Sequence, residues 1–292
     1  MKNKDEMLKL LNKRIPYFSI SIQEKLRLEP LKALSYLALK VPSLYCPNGI
    51  KVNIRAFWGS QMVGVLPDAI SSVIYLNEFF EEGLTKMLIE HLNEGMTVID
   101  IGAHIGYFSL LSSELVGEKG RVFAFEPTPS IFAILKENAK TKNNIVTNNF
   151  AVFSRAMELE FRDFGLRYSC FNSFTKSKLK SDEKVRYKKI KVNAITLDEY
   201  VEDNKIEPDF VKIDAENAEF EILKGMDKTI AKYKPTISLE VSEEVDGVAS
   251  SYECVKHLLN KGYESYCFEN GKVKPHEIKQ KYEYDNLLFI PD

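Results

Sequence analysis

The chain has 292 residues, with 40 lysines and arginines against 42 acids and a net charge of −2 when histidine is neutral. A length of that order implies about two domains or one elaborated α/β domain, able to bury a core without staples. The charge balance argues against a globally basic nucleic-acid binder, and the 11% aromatic content argues against a mostly disordered chain. Cys46, Cys170, Cys254 and Cys267 are scattered with no C-x-x-C pair, so neither a zinc site nor a redox motif is visible and no metal is expected. Sparse cysteine usage fits a reducing cytoplasm. The opening MKNKDEMLKLLNKR lacks the apolar region of a signal peptide, and residues 31–41 are too short and too polar to span a bilayer. The reading is a soluble cytoplasmic protein.

Residues 1–46 carry apolar positions at helical spacing, and Pro16, Pro30 and Pro42 are expected to break that stretch into pieces. GIKVNIRAFW and SSVIYL, within 49–76, read as β-rich, with glycines as punctuation. Helices and short strands together make residues 1–78 a small N-terminal cap, expected to close over a bound acceptor or to mediate dimerisation, with Trp58 serving either role. From 79 onward the pattern is regular. FFEEGLTKMLIEHL is a helix, MTVIDI a buried strand, GYFSLLSSELV a helix, RVFAFE a strand, PSIFAILKENAK a helix and IVTNNFAV a strand. Alternation at this interval implies βαβ units and a parallel sheet covered on both faces. It is interrupted at about 155–193, where MELEFRD and VRYKKIKV read as exposed or edge strands of an inserted hairpin. It then resumes with helix LDEYVED, strand DFVKID, helix AEFEILKGM, strand PTISLEVS, helix YECVKHLLNKG and strands YESYCFE and YDNLLFIP. The seven strands outside that hairpin, in the region 79–292, predict a Rossmann-like α/β fold with helices on both faces of a mostly parallel sheet.

The strongest chemical signal is Asp100-Ile101-Gly102-Ala103-His104-Ile105-Gly106, between the first regular strand and its helix. Strand–turn–helix is where such sheets bind nucleotide-like ligands. The spacing is G-x-x-x-G, with His104 where a dinucleotide fingerprint has its middle glycine, and no G-K-[ST] follows as in a P-loop. A carboxylate at Asp100 suits a cationic ligand better than a phosphate. Glu126 ends the second strand, where an acid accepts hydrogen bonds from ribose hydroxyls. An acidic turn, an acidic strand end and no phosphate cradle point to S-adenosylmethionine.

The pieces LPDAISSVIYLNEFFEEGLTKML, TVIDIGAHIGYFSL, VFAFEPTPSIFAILKENA, ITLDEY, DFVKIDAENAEFEILKGM, PTISLEV and NLLFIP, in this order from about residue 66 to 291, resemble an FkbM-type methyltransferase. Two departures are visible: His104 stands where the family usually has Asn, and Asn217 stands where it usually has Gly. Asn tolerates positive φ better than other side chains, so the turn is expected to survive. The resemblance implies the seven-stranded class I fold with its last strand antiparallel. It also implies that Asp100, Gly102, Ala103 and Gly106 line the methionine and ribose end of the cofactor. Glu126 would hold the ribose, with Pro127 by the adenine and Asn149, Phe150 and Ala151 approaching it. Asp214 would sit at the methyl-transfer centre, and the acceptor would be an oxygen on a sugar or other small metabolite.

A hydroxyl acceptor must lose a proton, so a general base is required. Asp214, His104 and Glu216 are the leading candidates, with Glu219 and Glu240 nearby in the pattern. Lys212 alternates with Asp214 along one strand, so both share a face and a salt bridge is expected. Two carboxylates at Asp214 and Glu240 do not make a metal signature. Residues 176–191 hold eight Lys/Arg against Asp182 and Glu183, which reads first as a solvated hairpin and second as a basic lid. FGLRYSCFNSF just before it, with Tyr168, Phe171 and Phe174, is expected to fold over the acceptor pocket. The alternatives are an RNA ribose O-methyltransferase using 176–191, and a nucleotide-binding protein (NAD or S-adenosylmethionine) without transfer activity.

Overall fold

The computed structural model describes residues 3–169, 172, 186–242 and 249–292. Three helices open the chain, α1 (Lys4–Ser19), α2 (Ile22–Leu28) and α3 (Pro30–Ser43). Pro30 starts α3, but Pro16 and Pro42 lie inside α1 and α3 and do not break them. Both prolines fall in the last turn of their helices. The true break between α1 and α2 is set by Ser21, whose side chain forms a capping box with Glu24. β1 (Ile50–Arg55) and β2 (Gln61–Leu66) form an antiparallel hairpin. The next segment corrects the β-rich reading of SSVIYL, because it is α4 (Ala69–Asn77). Asp68 caps it, accepting a 2.8 Å hydrogen bond from the Ser71 amide, and that cap with the burial of Ile74 outweighs β propensity.

α5 (Glu82–His91) leads into β3 (Thr97–Ile101), α6 (Tyr107–Val116), β4 (Arg121–Phe125), α7 (Pro129–Ala139) and β5 (Ile145–Asn148). The stretch IVTNNFAV is not one strand: it continues after a break as β6 (Ala151–Val152), which joins a different sheet. There β6 pairs parallel with β8 (Lys188–Ile195), and β8 pairs antiparallel with β7 (Met157–Asp163). The chain then runs through α8 (Leu197–Asp203), β9 (Phe210–Ile213), α9 (Glu219–Lys224), α10 (Asp227–Tyr233), β10 (Thr236–Val241), α11 (Ser251–Leu259), β11 (Tyr263–Glu269), β12 (Lys272–Pro275) and β13 (Asp285–Pro291).

The main sheet has the order β12-β11-β13-β10-β9-β3-β4-β5. β5, β4, β3, β9 and β10 are mutually parallel, and β13 inserts antiparallel between β10 and β11. This is the expected class I arrangement with one addition: β12 extends the edge as a hairpin partner of β11, over a segment whose alternation is too short to read. Period-two alternation along the buried strands sends neighbours to opposite faces. Val98 and Val122 join the cluster that includes Met7, Leu11, Trp58 and Leu111, whereas Ile99 and Phe123 join the one under Val201, Ile222 and Val255. Trp58 is a core residue, stacked edge-on against Tyr107 with centroids 5.3 Å apart. Among the described residues no helix is long and apolar enough to cross a membrane.

β3 lies between β4 and β9, so the connections leave it in opposite directions. The crevice at its carboxyl end is the topological switch point of the sheet.

Candidate active site

A cavity, partly open to solvent, occupies that switch point. Three turns build it. The first follows β3, where Gly102 (φ 73) and Gly106 (φ 92) take the left-handed conformation. A Cβ on Gly102 would lie 1.7 Å from the Asp214 carbonyl oxygen, so only glycine lets the β3 and β9 ends come this close. The Gly102 and Ala103 amides donate to the Phe125 carbonyl at 3.1 and 2.9 Å, tying the turn to β4. Gly106 then starts α6 with no side-chain cap, so first-turn amides face the crevice end of the helix unpaired by a cap.

The second turn follows β4. Glu126 is buried, and its carboxylate accepts from the His104 amide at 3.1 Å and the Thr128 amide at 2.8 Å. Burial pushes its pKa up to about 7, against the opposing effect of those two amides. The Asn149 side chain donates to the carbonyls of Glu126 and Pro127 and so shapes the turn from behind. The third turn follows β9. Glu216 (φ 47) and Asn217 (φ 76) both sit in the left-handed region, so the Asn that replaces glycine keeps the glycine conformation. Glu219 braces this turn by accepting from the Ala215 and Asn217 amides at 3.1 and 3.2 Å.

Of the residues singled out in the sequence, Gly102, His104, Glu126, Pro127, Phe150, Ala151, Asp214 and Glu216 line the cavity. Ala103, Gly106 and Asn149 support the turns behind it. Asp100 behaves differently from the sequence expectation: its carboxylate is buried and does not line the cavity. It accepts from the Ser109 hydroxyl at 2.5 Å and lies 3.2 Å from the Lys212 ammonium. Lys212 also sits 3.3 Å from Asp214, confirming the expected pairing on one strand face. Burial alone would lower the Lys212 pKa, but Asp100, Asp214 and Glu81 together raise it above its ordinary value. Glu240 is buried on β10 outside the cavity lining.

His104 is the most distinctive group. Its Nε2 lies 2.7 Å from the Ser169 hydroxyl, which in turn donates to Asp68 Oδ1 at 3.0 Å. Its Nδ1 is buried and has no hydrogen-bond partner among the described residues. Burial depresses its pKa, Lys212 adds to the depression, and Asp68 and Asp214 oppose it.

Sequence reasoning missed Asp68, Thr128 and Glu81. Asp68 was legible as the first residue of an Asp-x-x-Ser helix cap, had that helix been recognised. Ser169 and Asn172 fall in the segment expected to fold over the pocket, and both line the cavity. Asn172 is anchored there, accepting from the Phe164 amide at 2.8 Å. Phe171, Phe174 and the basic stretch 176–185 lie outside the described residues. Within β7 and β8, Lys189 and Lys191 are exposed and paired across the strands with Glu160 and Glu158.

Residues 100–265 match the family model of the methyltransferase FkbM domain. The chain belongs to the FkbM methyltransferase family. It is 27% identical over 168 residues to the hexuronic acid methyltransferase AglP of Haloferax volcanii, covering 57% of this chain and 64% of that protein. Less than two thirds of this relative is thus matched. Among solved structures it is similar to an FkbM methyltransferase from Methylobacillus flagellatus, with 15% identity, a TM-score of 0.46, and 77% of this chain and 55% of that one covered. It is also similar to a fibrillarin from Aeropyrum pernix, with 12% identity, a TM-score of 0.43, and 82% and 99% covered.

The residues of this cavity fit S-adenosylmethionine, the cofactor expected from the sequence. Glu126 presents a buried carboxylate with lone pairs left for two vicinal hydroxyls. Pro127, Phe150, Phe153 and Phe161 line an apolar slot suited to a purine. Asp100, Asp214 and Lys212 together leave a local negative excess, which favours a sulfonium.

Proposed function

We propose that the protein transfers a methyl group from S-adenosylmethionine to a hydroxyl of a sugar or a sugar-bearing small molecule. The observation that carries this reading is that His104, an imidazole, lines the same cavity as the buried carboxylate Glu126. When bound, S-adenosylmethionine supplies a methyl electrophile. The chain must hold an oxygen in line with it and accept the proton that the oxygen loses. Asp214 is already engaged with Lys212, and Glu216 sits on a turn at the cavity rim. The Nδ1 of His104 has no partner among the described residues and burial disfavours the protonated ring, so it is the base in this reading. Gly102 and Gly106 admit the methionine end, Glu126 holds the ribose, and Pro127, Phe150 and Ala151 flank the adenine. Asp100 acts here from behind, by fixing Lys212 and so Asp214. Residues 79–292 carry the catalytic machinery, and the cap of residues 1–78 supplies Ile70 to the cavity wall. The free Cys46, Cys254 and Cys267 suit a reducing cytoplasm. A sugar acceptor is supported by the likeness to AglP.

The test is transfer of a labelled methyl group to a panel of hexuronic acids, neutral glycosides and RNA. An alkali-stable methyl ether on a sugar hydroxyl is expected. An alkali-labile ester, methylated RNA, or no transfer to any sugar would overturn the reading.

A further inference from the structure

We propose that Asp68, Ser169 and His104 form a hydrogen-bonded relay that holds the imidazole with Nε2 protonated and Nδ1 bare, making Asp68 and Ser169 positioning residues for the base. This rests on the functional reading above and deepens it. The directions of the bonds follow from the groups available. Asp68 Oδ2 already accepts from the Ser71 amide, and its Oδ1 accepts from the Ser169 hydroxyl at 3.0 Å. A hydroxyl that donates its single hydrogen to a carboxylate can only accept from its other neighbour. His104 Nε2, 2.7 Å away, must then be the donor, and Nδ1 is left as a lone pair. Nδ1 has no partner among the described residues, and it is sealed from water. Nδ1 is closed to a water-sized contact in this conformation, so an acceptor hydroxyl reaches it only when binding shifts the ring or the cavity wall beside it.

The three residues come from three separate parts of the chain: the cap before α4, the segment after β7 and the turn after β3. All three are fixed by contacts of their own. Asp68 caps a helix, and the Ser169 carbonyl accepts from the Asn172 amide at 3.1 Å, whose side chain is held by Phe164. The His104 amide is held by Glu126. In the transfer step the acceptor oxygen gains the methyl as the sulfur–carbon bond breaks, with that bond's electron pair staying on sulfur. The acceptor's proton passes to Nδ1. The Nε2 proton stays in its bond to Ser169 and Asp68 stays ionised, stabilising the imidazolium. The groups that face this imidazole electrostatically are Asp68, Asp214 and Lys212.

Two measurements test the relay. Histidine-labelled protein, read by 15N and 13C NMR without substrate and assigned with His104→Gln, should show the Nε2–H tautomer at His104, and Ser169→Ala should turn it into a mixture. The Nδ1–H tautomer in the wild-type protein would overturn the relay even if methyl transfer to a sugar is found. In turnover, Ser169→Ala and Asp68→Asn should each lower kcat about 10- to 100-fold with cofactor Kd unchanged. Asn retains the helix cap, so Asp68→Asn is expected to fold. It should also move the acid limb of kcat to lower pH, because the one nearby charge that the relay adds is removed. Ser169→Ala placed in His104→Gln should cost nothing further, whereas independent multiplication of the two losses would sink the relay and leave the methyltransferase reading intact.

Discussion

Lys212 and His104 lie on either side of the Gly102 turn and are both withdrawn from solvent, yet they are satisfied to different degrees. The Lys212 ammonium is shared by Asp100 at 3.2 Å and Asp214 at 3.3 Å, with the carbonyls of Ile101 and Gly102 at 3.4 and 3.3 Å and the Phe108 ring beneath it. Its donors are used, and it joins β3 to β9. Among the described residues, the His104 ring is bonded through one nitrogen only. A buried network that closes on itself adds rigidity and sets geometry, while one with an open position at a cavity has capacity left for a ligand. The contrast separates the scaffold of the site from its chemistry more cleanly than residue type does, since both networks contain carboxylates.

The largest expected effect breaks the closed network. Lys212→Met should destabilise the protein by about 3–5 kcal/mol, because it strands Asp100 in the interior without a counter-charge. Urea denaturation at neutral pH measures this. The pKa of Lys212 is raised above its unfolded value, so its contribution is intact below about 10.4 and is lost only as pH climbs through the higher folded value. A loss under 1 kcal/mol would show that the network is not what holds the two strand ends.

A smaller effect is expected at the cofactor pole of the open side. Glu126→Gln should weaken S-adenosylhomocysteine binding about 10- to 100-fold, the scale of one or two hydrogen bonds to a charged acceptor, with little change in stability. The pH dependence has a definite sign. The free carboxyl titrates at about 7, and ribose hydroxyls favour the ionised form. Binding therefore releases a proton below that pH, and affinity falls as the medium is acidified through it. Calorimetry should show this slope in the wild-type protein and not in Glu126→Gln. An identical slope in both would assign the titration to another group.

The same contrast explains what could be read from the sequence. The sheet was legible because its strands are buried on both faces and read as continuous apolar runs between helices of regular period. Glu126 was legible because strand ends of this fold project into the crevice. Asp100 was placed at the right turn but given the wrong neighbour: nothing local reveals that Lys212, 112 residues on, takes its carboxylate in register across β3 and β9. Asp68 was hidden twice, by a β-branched stretch that masked its helix and by a partner, Ser169, 101 residues away. Relays of this kind are set by tertiary contacts between segments with no shared periodicity, so only their individual members leave a trace.

The smallest effect is expected where charge is plentiful and burial is absent. Lys189 and Lys191 on β8 face Glu160 and Glu158 on β7 at 2.7 and 2.5 Å, with every side chain in the two pairs more than half exposed. Exposed pairs exchange hydration for a screened attraction and contribute little to stability. Their charge is also spoken for, which leaves this part of the hairpin without an excess to offer a polyanion. Lys189→Ala combined with Lys191→Ala should leave the melting temperature, the affinity for S-adenosylhomocysteine and the turnover of a sugar acceptor unchanged. An RNA-directed enzyme would instead lose affinity for RNA and show a shallower dependence on salt, since each phosphate contact removed lowers that slope by about one. A change of slope in the double variant would move the acceptor assignment from a sugar to a nucleic acid, and would place this hairpin, rather than the His104 cavity alone, in contact with the acceptor.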